Sequence, residues 1–299
     1  MTFDRLLTPP ALPLTAHKGT AGRVLCVAGS ETMPGAALLT LRGAQLGGAG
    51  LVTLATFDKS IITPAAMAAP EAVYIDLSRS KDLVAGRLPW QFKNRRDHVR
   101  VAGPGLGKGG RTDELIRRLI SDDFDGPLVL DADGLNVIQG TPEVLAECRG
   151  NLVVTPHPGE AARLLGVDAL SDDSDARLEA AKTIARASSG ICVLKGHQTV
   201  VTDGERSFIN TTGNPGMATA GAGDALSGIL AAYLGTCRQM SIPEWGVFEA
   251  VCSAVFIHGR AGDLAAESLG RRAVTATGIL NFLSKAQLEQ EQAAERSGD

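Results

Sequence analysis

The 299-residue sequence has few aromatic residues and no excess of positive charge. Two tryptophans and two tyrosines leave little aromatic surface on which nucleic-acid bases could stack. The formal net charge is −4, and basic residues form only short pairs such as Arg95-Arg96, so the charge pattern of a nucleic-acid-binding protein is missing. We therefore expect no nucleic-acid partner.

Cysteine is also scarce, and Cys-x-x-Cys pairs are absent. The five cysteines are odd in number and widely spaced, which argues against a zinc site or a disulfide framework and favours buried, reduced thiols. The N-terminus has no basic segment followed by an apolar run, unlike a signal peptide. No apolar stretch approaches the roughly 20 residues of a membrane span. These absences predict a cytoplasmic protein without a membrane partner.

What remains is an ordinary globular composition, with 44% hydrophobic and 21% charged residues. The length allows one or two domains. No change in composition marks a linker, so we predict a single domain over residues 1–299. The lead-in over residues 1–17 is expected to be irregular, and the polar tail over residues 286–299 is expected to fray.

Short apolar runs alternate with helical patterns along most of the chain. The runs predict strands at residues 23–28, 51–55, 99–102, 128–130, 152–154 and 191–194, and a hairpin of residues 200–201 and 208–209 around Asp203-Gly204. Helices are predicted at residues 34–46, 113–120, 178–187, 225–234, 244–259, 263–268 and 277–283. This alternation predicts an α/β fold, with a central, mostly parallel sheet and helices on both faces.

The stretch over residues 210–235 changes from a polar, glycine-rich loop into an apolar helix. Such a loop delivers free backbone N–H groups to a helix N-terminus, which is a typical phosphate site. Asp224 stands at its mouth, either as a helix cap or as a base or acid beside a bound phosphate. Because one cap does not need four nearby glycines, the second interpretation is favoured.

Other polar and glycine-rich segments follow the predicted strands. In an open α/β sheet the ligand crevice lies beyond the carboxyl ends of the strands, so these segments should converge on one rim. They are residues 103–107, 131–134, 157–160, 195–199 and 221–224. The Gly-x-Ser-x-Gly, Gly-x-x-x-x-Gly-Lys-Ser/Thr and Gly-x-Gly-x-x-Gly motifs are missing, which argues against a Walker-type ATPase and an ordinary Rossmann dehydrogenase.

Each of these segments has a structural alternative. Gly103-Pro104-Gly105 is either a tight turn or a close approach to a ligand. Asp131 and Asp133 either cap a helix or take part in a magnesium site or polar network. His157 is either structural or catalytic, and Lys195 either reaches a phosphate or is a solvated strand end.

Placed together, these motifs resemble the ribokinase-like superfamily, and in particular the ADP- or ATP-dependent NAD(P)H-hydrate dehydratases. The Gly-Ala-Gly-Asp motif at Gly221-Ala222-Gly223-Asp224 indicates only the superfamily. More specific to the dehydratases are Thr155-Pro156-His157-Pro158-Gly159-Glu160 and the run Asn210-Thr211-Thr212-Gly213-Asn214-Pro215-Gly216-Met217-Ala218-Thr219. The matching segments span residues 18 to 283, nearly the whole chain.

The resemblance implies a lyase that repairs hydrated nicotinamide cofactors. An NADHX or NADPHX hydrate and ADP or ATP would give the reduced dinucleotide, phosphate and a shortened nucleotide. Asp224 would take the proton from the hydroxyl of the hydrate. The resemblance also implies that the hydrate is bound by Ala36, Gly105 and His157. It implies that the nucleotide is bound by Lys195, Gly196, His197, Gln198, Thr199 and Gly223. The implied anion hole consists of Gly221, Ala222 and Gly223.

The resemblance also implies Mg²⁺ at the phosphates and a homo-oligomer, specifically a tetramer. Relatives usually carry threonine at the position of Ala222, so a hydroxyl contact to phosphate is not available here. Two alternatives stay open: a small-molecule kinase of the same fold, acting on a vitamin precursor or a sugar, and a nucleotide-sensing protein without turnover.

Overall fold

The structure is a computed structural model that describes residues 8–93, 95–240, 242–243 and 245–298. Its strands are β1 (Arg23–Val27), β2 (Leu51–Thr56), β3 (Val73–Asp76), β4 (Val99–Ala102), β5 (Leu128–Leu130), β6 (Leu152–Val154), β7 (Ile191–Leu194), β8 (Val200–Thr202) and β9 (Ser207–Ile209). Its helices are α1 (Pro34–Leu46), α2 (Ile62–Ala68), α3 (Gly110–Ile120), α4 (Asp133–Asn136), α5 (Pro158–Leu165), α6 (Ser174–Ser188), α7 (Ala222–Met240), α8 (Val247–Leu269), α9 (Ala276–Asn281) and α10 (Leu283–Gly298).

The strands form one nine-stranded sheet in the order β3-β2-β1-β4-β5-β6-β7-β8-β9. Neighbours from β3 to β7 are parallel, and β8 and β9 add an antiparallel hairpin at one edge. The predicted α/β fold with a mostly parallel sheet is therefore confirmed. The strand order reverses between β1 and β4, and such a switch point opens a crevice beyond the carboxyl ends of the strands.

Helices cover both faces of the sheet because alternate strand residues are apolar on both sides. In β1, Val24 and Cys26 pack into the core beneath α1, α7 and α8. Leu25 and Val27, between them in sequence, pack into the opposite core beneath α3, α5 and α6. This double burial explains why the central strands are continuous apolar runs.

Helices α1 and α7 approach each other closely because glycines stand where they meet. A Cβ on Gly228 would lie 2.1 Å from the carbonyl oxygen of Thr40, and one on Gly43 would lie 2.4 Å from that of Ala225. Both distances are far below van der Waals contact. The small residues therefore fix the position of α7, whose N-terminus lies at the candidate site.

We expect Gly228→Ala to lower the free energy of unfolding by about 1–3 kcal/mol through overpacking, although alanine is the better helix former. Urea unfolding measures the change. Gly110→Ala is the matched control, because no other described residue beyond its chain neighbours and its own helix backbone lies within 4 Å of the added Cβ. It should leave stability unchanged or slightly raised. Equal stabilities of the two variants would contradict the close approach.

Several elements differ from the sequence-based expectation. Strand β3 and helices α2, α4 and α5 were not predicted. Strand β3 is a half-exposed edge strand, and the apolar run that it contains, residues 72–75, is only four residues long. The expected helices at residues 244–259 and 263–268 are one helix, α8, and Glu244 lies outside the described residues. The tail expected to fray is helical through α10, where Ala286 is buried and Arg260 binds Glu289.

The described part of the lead-in, residues 8–17, contains no helix or strand. Among the described residues, every helix is too short or too polar to span a lipid bilayer.

Candidate active site

The N-terminus of α7 lies at the rim where the glycine-rich loop ends. Gly221, directly before the helix, has a φ of +87°, and a Cβ there would lie 2.3 Å from Cδ1 of Leu39. The loop must therefore carry glycine at this position to enter the helix. Because the first backbone N–H groups of a helix have no acceptor within it, the turn formed with Ala222 and Gly223 presents donors suited to an anion.

A cleft of about 640 Å³ opens beside this helix N-terminus. Every residue predicted to bind the nucleotide lines this cleft: Lys195, Gly196, His197, Gln198, Thr199 and Gly223. Ala222 and His157 line it as well. The rest of the cleft wall comes from the loop over residues 210–219 and from four residues that were not predicted from the sequence: Leu226, Val255, His258 and Gly259. The cleft thus joins an apolar wall to an anion-binding end.

Lys195 is the centre of a buried charge cluster at that end. Its Nζ lies 2.5 Å from Oδ1 of Asp131 and 3.8 Å from Oε2 of Glu160. The other oxygen of Asp131 accepts a hydrogen bond of 2.8 Å from Oγ of Ser227. Burial opposes the charge on both partners, but their attraction outweighs it, so the pKa of Lys195 is raised and that of Asp131 is lowered.

Asp131 therefore belongs to a polar network rather than to a helix cap. Asp133 accepts a hydrogen bond of 2.8 Å from the backbone N–H of Gly107 and one of 3.3 Å from the Asn136 side chain. In the part of the chain that the structure describes, no side chain caps helix α4, which follows. Lys195 is likewise not a solvated strand end, since only 19% of its side chain is exposed.

Asp224 is half-buried in the first turn of α7, next to this cluster. Burial raises the pKa of its carboxyl to about 6, with further increases from the charges of Asp131, Asp133 and Glu160, against the opposing effect of Lys195. Such a carboxylate is ionised at neutral pH yet basic enough to accept a proton. The position and pKa suit a general base.

Ala36 and Gly105 meet at the switch point between β1 and β4. Gly105 has a φ of +61°, and a Cβ on it would lie 2.6 Å from Cβ of Ala36. Gly103 has a φ of +125°, and its Cβ would lie 1.8 Å from the carbonyl oxygen of Asp131. The close approach that Gly103 allows is thus to the protein backbone, which ties this turn to the Asp131 turn.

His157 caps helix α5 and also lines the cleft. Its Nδ1 accepts hydrogen bonds from the N–H groups of Gly159 (3.0 Å) and Glu160 (3.3 Å). The side chain of Glu160 in return accepts a hydrogen bond of 2.8 Å from the backbone N–H of His157, which completes a capping box. The structural role of His157 is observed, yet half of its side chain is exposed and the residue lines the cleft.

Two other residues of the site carry little sequence signal. Ser227 follows Asp224 by three residues on α7, a spacing that shares a helix face and could have indicated it. His258 is a lone histidine on an apolar helix. Burial lowers its pKa to about 4, and its Nε2 has no hydrogen-bond partner among the described residues.

The described residues contain no group of three His, Cys, Asp or Glu side chains arranged to hold a metal ion. Mg²⁺ commonly binds through substrate phosphates plus one or two carboxylates. The residues near Lys195 fit Mg²⁺ that is held mainly by substrate phosphates, because the charge of Asp131 is already neutralised by Lys195.

Known proteins match this chain in both sequence and fold. A family model described as NAD(P)H-hydrate dehydratase matches residues 24–285. The ADP-dependent (S)-NAD(P)H-hydrate dehydratase of Neisseria meningitidis is 36% identical over 259 residues, covering 85% of this chain and 81% of that protein. The bifunctional NAD(P)H-hydrate repair enzyme of Thermofilum pendens is 38% identical over 289 residues, covering 95% of this chain but 53% of that enzyme.

The chain thus spans about half the length of the bifunctional relatives that it matches. Among solved structures, the ADP/ATP-dependent NAD(P)H-hydrate dehydratase from Bacillus subtilis, co-crystallised with ATP and Mg²⁺, superposes with a TM-score of 0.80. That pair is 29% identical, and the match covers 94% of each chain.

Proposed function

The chain belongs to the NAD(P)H-hydrate dehydratase family, and from this premise we propose that it dehydrates the S-epimer of NADHX or NADPHX to NADH or NADPH. The reaction consumes ADP or ATP and releases phosphate with AMP or ADP. The observation that carries the proposal is Asp224, a carboxylate with a pKa raised to about 6. It lies in the first turn of α7, directly after Ala222 and Gly223, which line the 640 Å³ cleft.

The chemistry follows from the leaving group. Hydroxide leaves a carbon poorly, whereas phosphate leaves well. Asp224 accepts the proton of the ring hydroxyl while that oxygen bonds to the terminal phosphorus, and the bond from phosphorus to the nucleotide breaks. Loss of phosphate and of a proton from the neighbouring ring carbon then restores the double bond of the reduced nicotinamide.

Several groups of this chain would stabilise the transferring phosphoryl. The N–H groups of the turn Gly221-Ala222-Gly223 supply donors without a hydroxyl at position 222. The ammonium group of Lys195, although paired with Asp131, lies beside Gly223 and would supply a further donor at the same end. Preorganised donors of this kind supply much of the catalysis in phosphoryl transfer. Mg²⁺ would arrive on the nucleotide phosphates and neutralise part of their charge.

Binding divides between the two sides of Asp224. We assign the nucleotide to the cleft, against Gly196, His197, Gln198 and Thr199, because these residues line it together. We assign the hydrate to the switch-point side, where Ala36 and Gly105 meet. His157, which lines the cleft next to the charge cluster, would contact the hydrate from the other direction.

The deciding experiment incubates the protein with (S)-NADHX and either ADP or ATP and follows the absorbance of reduced nicotinamide. We expect a gain that requires a nucleotide. No gain, together with phosphorylation of a vitamin precursor or sugar, would favour the kinase of the same fold, and nucleotide binding without any turnover would favour the sensor.

The proposal also predicts an acid limb in the pH profile. Because Asp224 must be ionised to accept a proton, kcat/KM should fall about tenfold per pH unit below its pKa of about 6. Calorimetric ADP binding over the same pH range separates this loss from titration of the nucleotide. A kcat/KM that stays flat to pH 5 would remove Asp224 from the role of base.

Other assignments stay proposals. We propose a single domain, supported by the one continuous sheet, and a cytoplasmic location, supported by five free cysteines of which four are buried. The family resemblance implies a homotetramer, and this stays a prediction, which light scattering tests by measuring the mass of the protein in solution.

A further inference from the structure

Arg177 on α6 reaches the backbone of the nucleotide loop, defined here as residues 195–199. Its Nη1 donates a hydrogen bond to the carbonyl oxygen of His197, and its Nη2 donates one of 3.4 Å to that of Lys195. These two carbonyls flank Gly196. One guanidinium thus holds the loop at two points from behind, while the other side of the loop faces the cleft.

The conformation of the loop requires such support. Gly196 has a φ of +138° and Gln198 has a φ of +51°, which is uncommon for a residue with a side chain. A Cβ on Gly196 would lie 2.9 Å from Nη2 of Arg177, so the bare backbone rests directly on the guanidinium. Strained backbone of this kind persists where its surroundings hold it in place.

The surroundings of Arg177 also differ from those of an ordinary ion pair. Among the described residues no carboxylate lies within ion-pair distance of its guanidinium, and its Nε is buried without a partner. The acceptors of Arg177 are therefore the backbone carbonyls of the loop. Its positive charge lies directly behind a loop whose residues line the cleft.

We propose that Arg177 is a positioning residue for the nucleotide: it holds residues 195–199 in the conformation that binds the nucleotide, without touching the ligand. This inference rests on the proposed function, which assigns the nucleotide to that loop. It predicts a defect in nucleotide affinity that is separate from binding of the hydrate and from the chemical step.

The test compares Arg177→Gln, Arg177→Lys and Arg186→Gln. Arg186 lies on the same helix and is exposed, so its variant removes the same charge without touching the loop. Calorimetry gives the Kd for ADP, steady-state kinetics give KM for each substrate and kcat, and amide hydrogen exchange of residues 195–199 reports the loop in the nucleotide-free protein.

In Arg177→Gln we expect Kd and KM for ADP to rise about tenfold, the effect of losing hydrogen bonds from a charged donor. KM for the hydrate and kcat at saturating ADP should stay within about twofold, and the loop amides should exchange faster. Arg177→Lys keeps the charge and one contact, so its Kd should rise only about threefold. Arg186→Gln should match the wild type.

Three results would each overturn this inference and leave the proposed function standing. They are unchanged ADP affinity in both Arg177 variants, an equal loss of ADP affinity in Arg186→Gln, and weaker ADP binding without faster exchange of the loop amides. If Arg177→Gln does not fold, Arg177→Lys decides in the same way. A wild-type protein without affinity for ADP would instead overturn the proposed function, and this inference with it.

Discussion

Replacing Asp224 by asparagine is expected to lower kcat by about 10³-fold while the Kd for ADP stays within about twofold, because the amide cannot accept the proton of the hydroxyl. The variant should also be more stable than the wild type near neutral pH. The folded state raises the pKa of Asp224 from 3.8 to about 6, so it binds this proton more tightly than the unfolded state does. The stability that this group contributes is present below pH 4 and is lost as the pH rises through 6.

The neutral amide of asparagine avoids the destabilisation caused by ionising a partly buried carboxyl group. We therefore expect a gain of the order of 1 kcal/mol in the free energy of unfolding at pH 7. Asp113→Asn is the matched control, since Asp113 is exposed in the first turn of α3 and lies outside the site. It should leave kcat unchanged. A variant at Asp224 with wild-type turnover would exclude the proposed mechanism; one with lost turnover and lost ADP affinity would indicate a binding role instead.

Lys195→Met is expected to destabilise the protein strongly. It leaves the carboxylate of Asp131, which is only 1% exposed, without its partner. Breaking a buried pair in this way costs about 3–5 kcal/mol of unfolding free energy. ADP affinity should fall as well, and the acid limb of the pH profile should move to higher pH, because Lys195 lowers the pKa of Asp224.

Two further variants test the reason for that loss. Asp131→Asn added to Lys195→Met removes the stranded charge, so it should restore part of the stability but not the ADP affinity. Lys182→Met removes a lysine whose partner Glu179 is 63% exposed, and it should cost less than about 1 kcal/mol. Equal urea midpoints for the two single lysine variants would show that the pair with Asp131 is not buried as described.

The central strands were predictable from sequence because both of their faces are buried. The apolar runs of β1, β4, β5, β6 and β7 match the structure closely, and helix α1 begins at Pro34 and ends at Leu46 as predicted. Edge strand β3 was not predicted, because its apolar run at residues 72–75 is short and the strand is only partly buried. The tail became helix α10 through contacts such as Arg260 with Glu289, which join residues far apart in the chain.

The candidate site divides in the same way. Asp224 and the glycines before it were recognisable because a helix N-terminus and its loop are local in sequence. The residues of the nucleotide loop were recognisable because they follow a strand. Their convergence on one rim followed from the rule that parallel strands end on the same side.

Local sequence therefore determined which elements form and which residue types reach the rim. Tertiary structure alone decided which of them meet: Lys195 with Asp131, Gly105 with Ala36, and Arg177 with the carbonyls behind the nucleotide loop. The physical reason is that burial and charge pairing depend on neighbours that are distant in the chain. The pKa of Asp224, on which the proposed chemistry depends, is set by such neighbours, Asp131 and Lys195 among them.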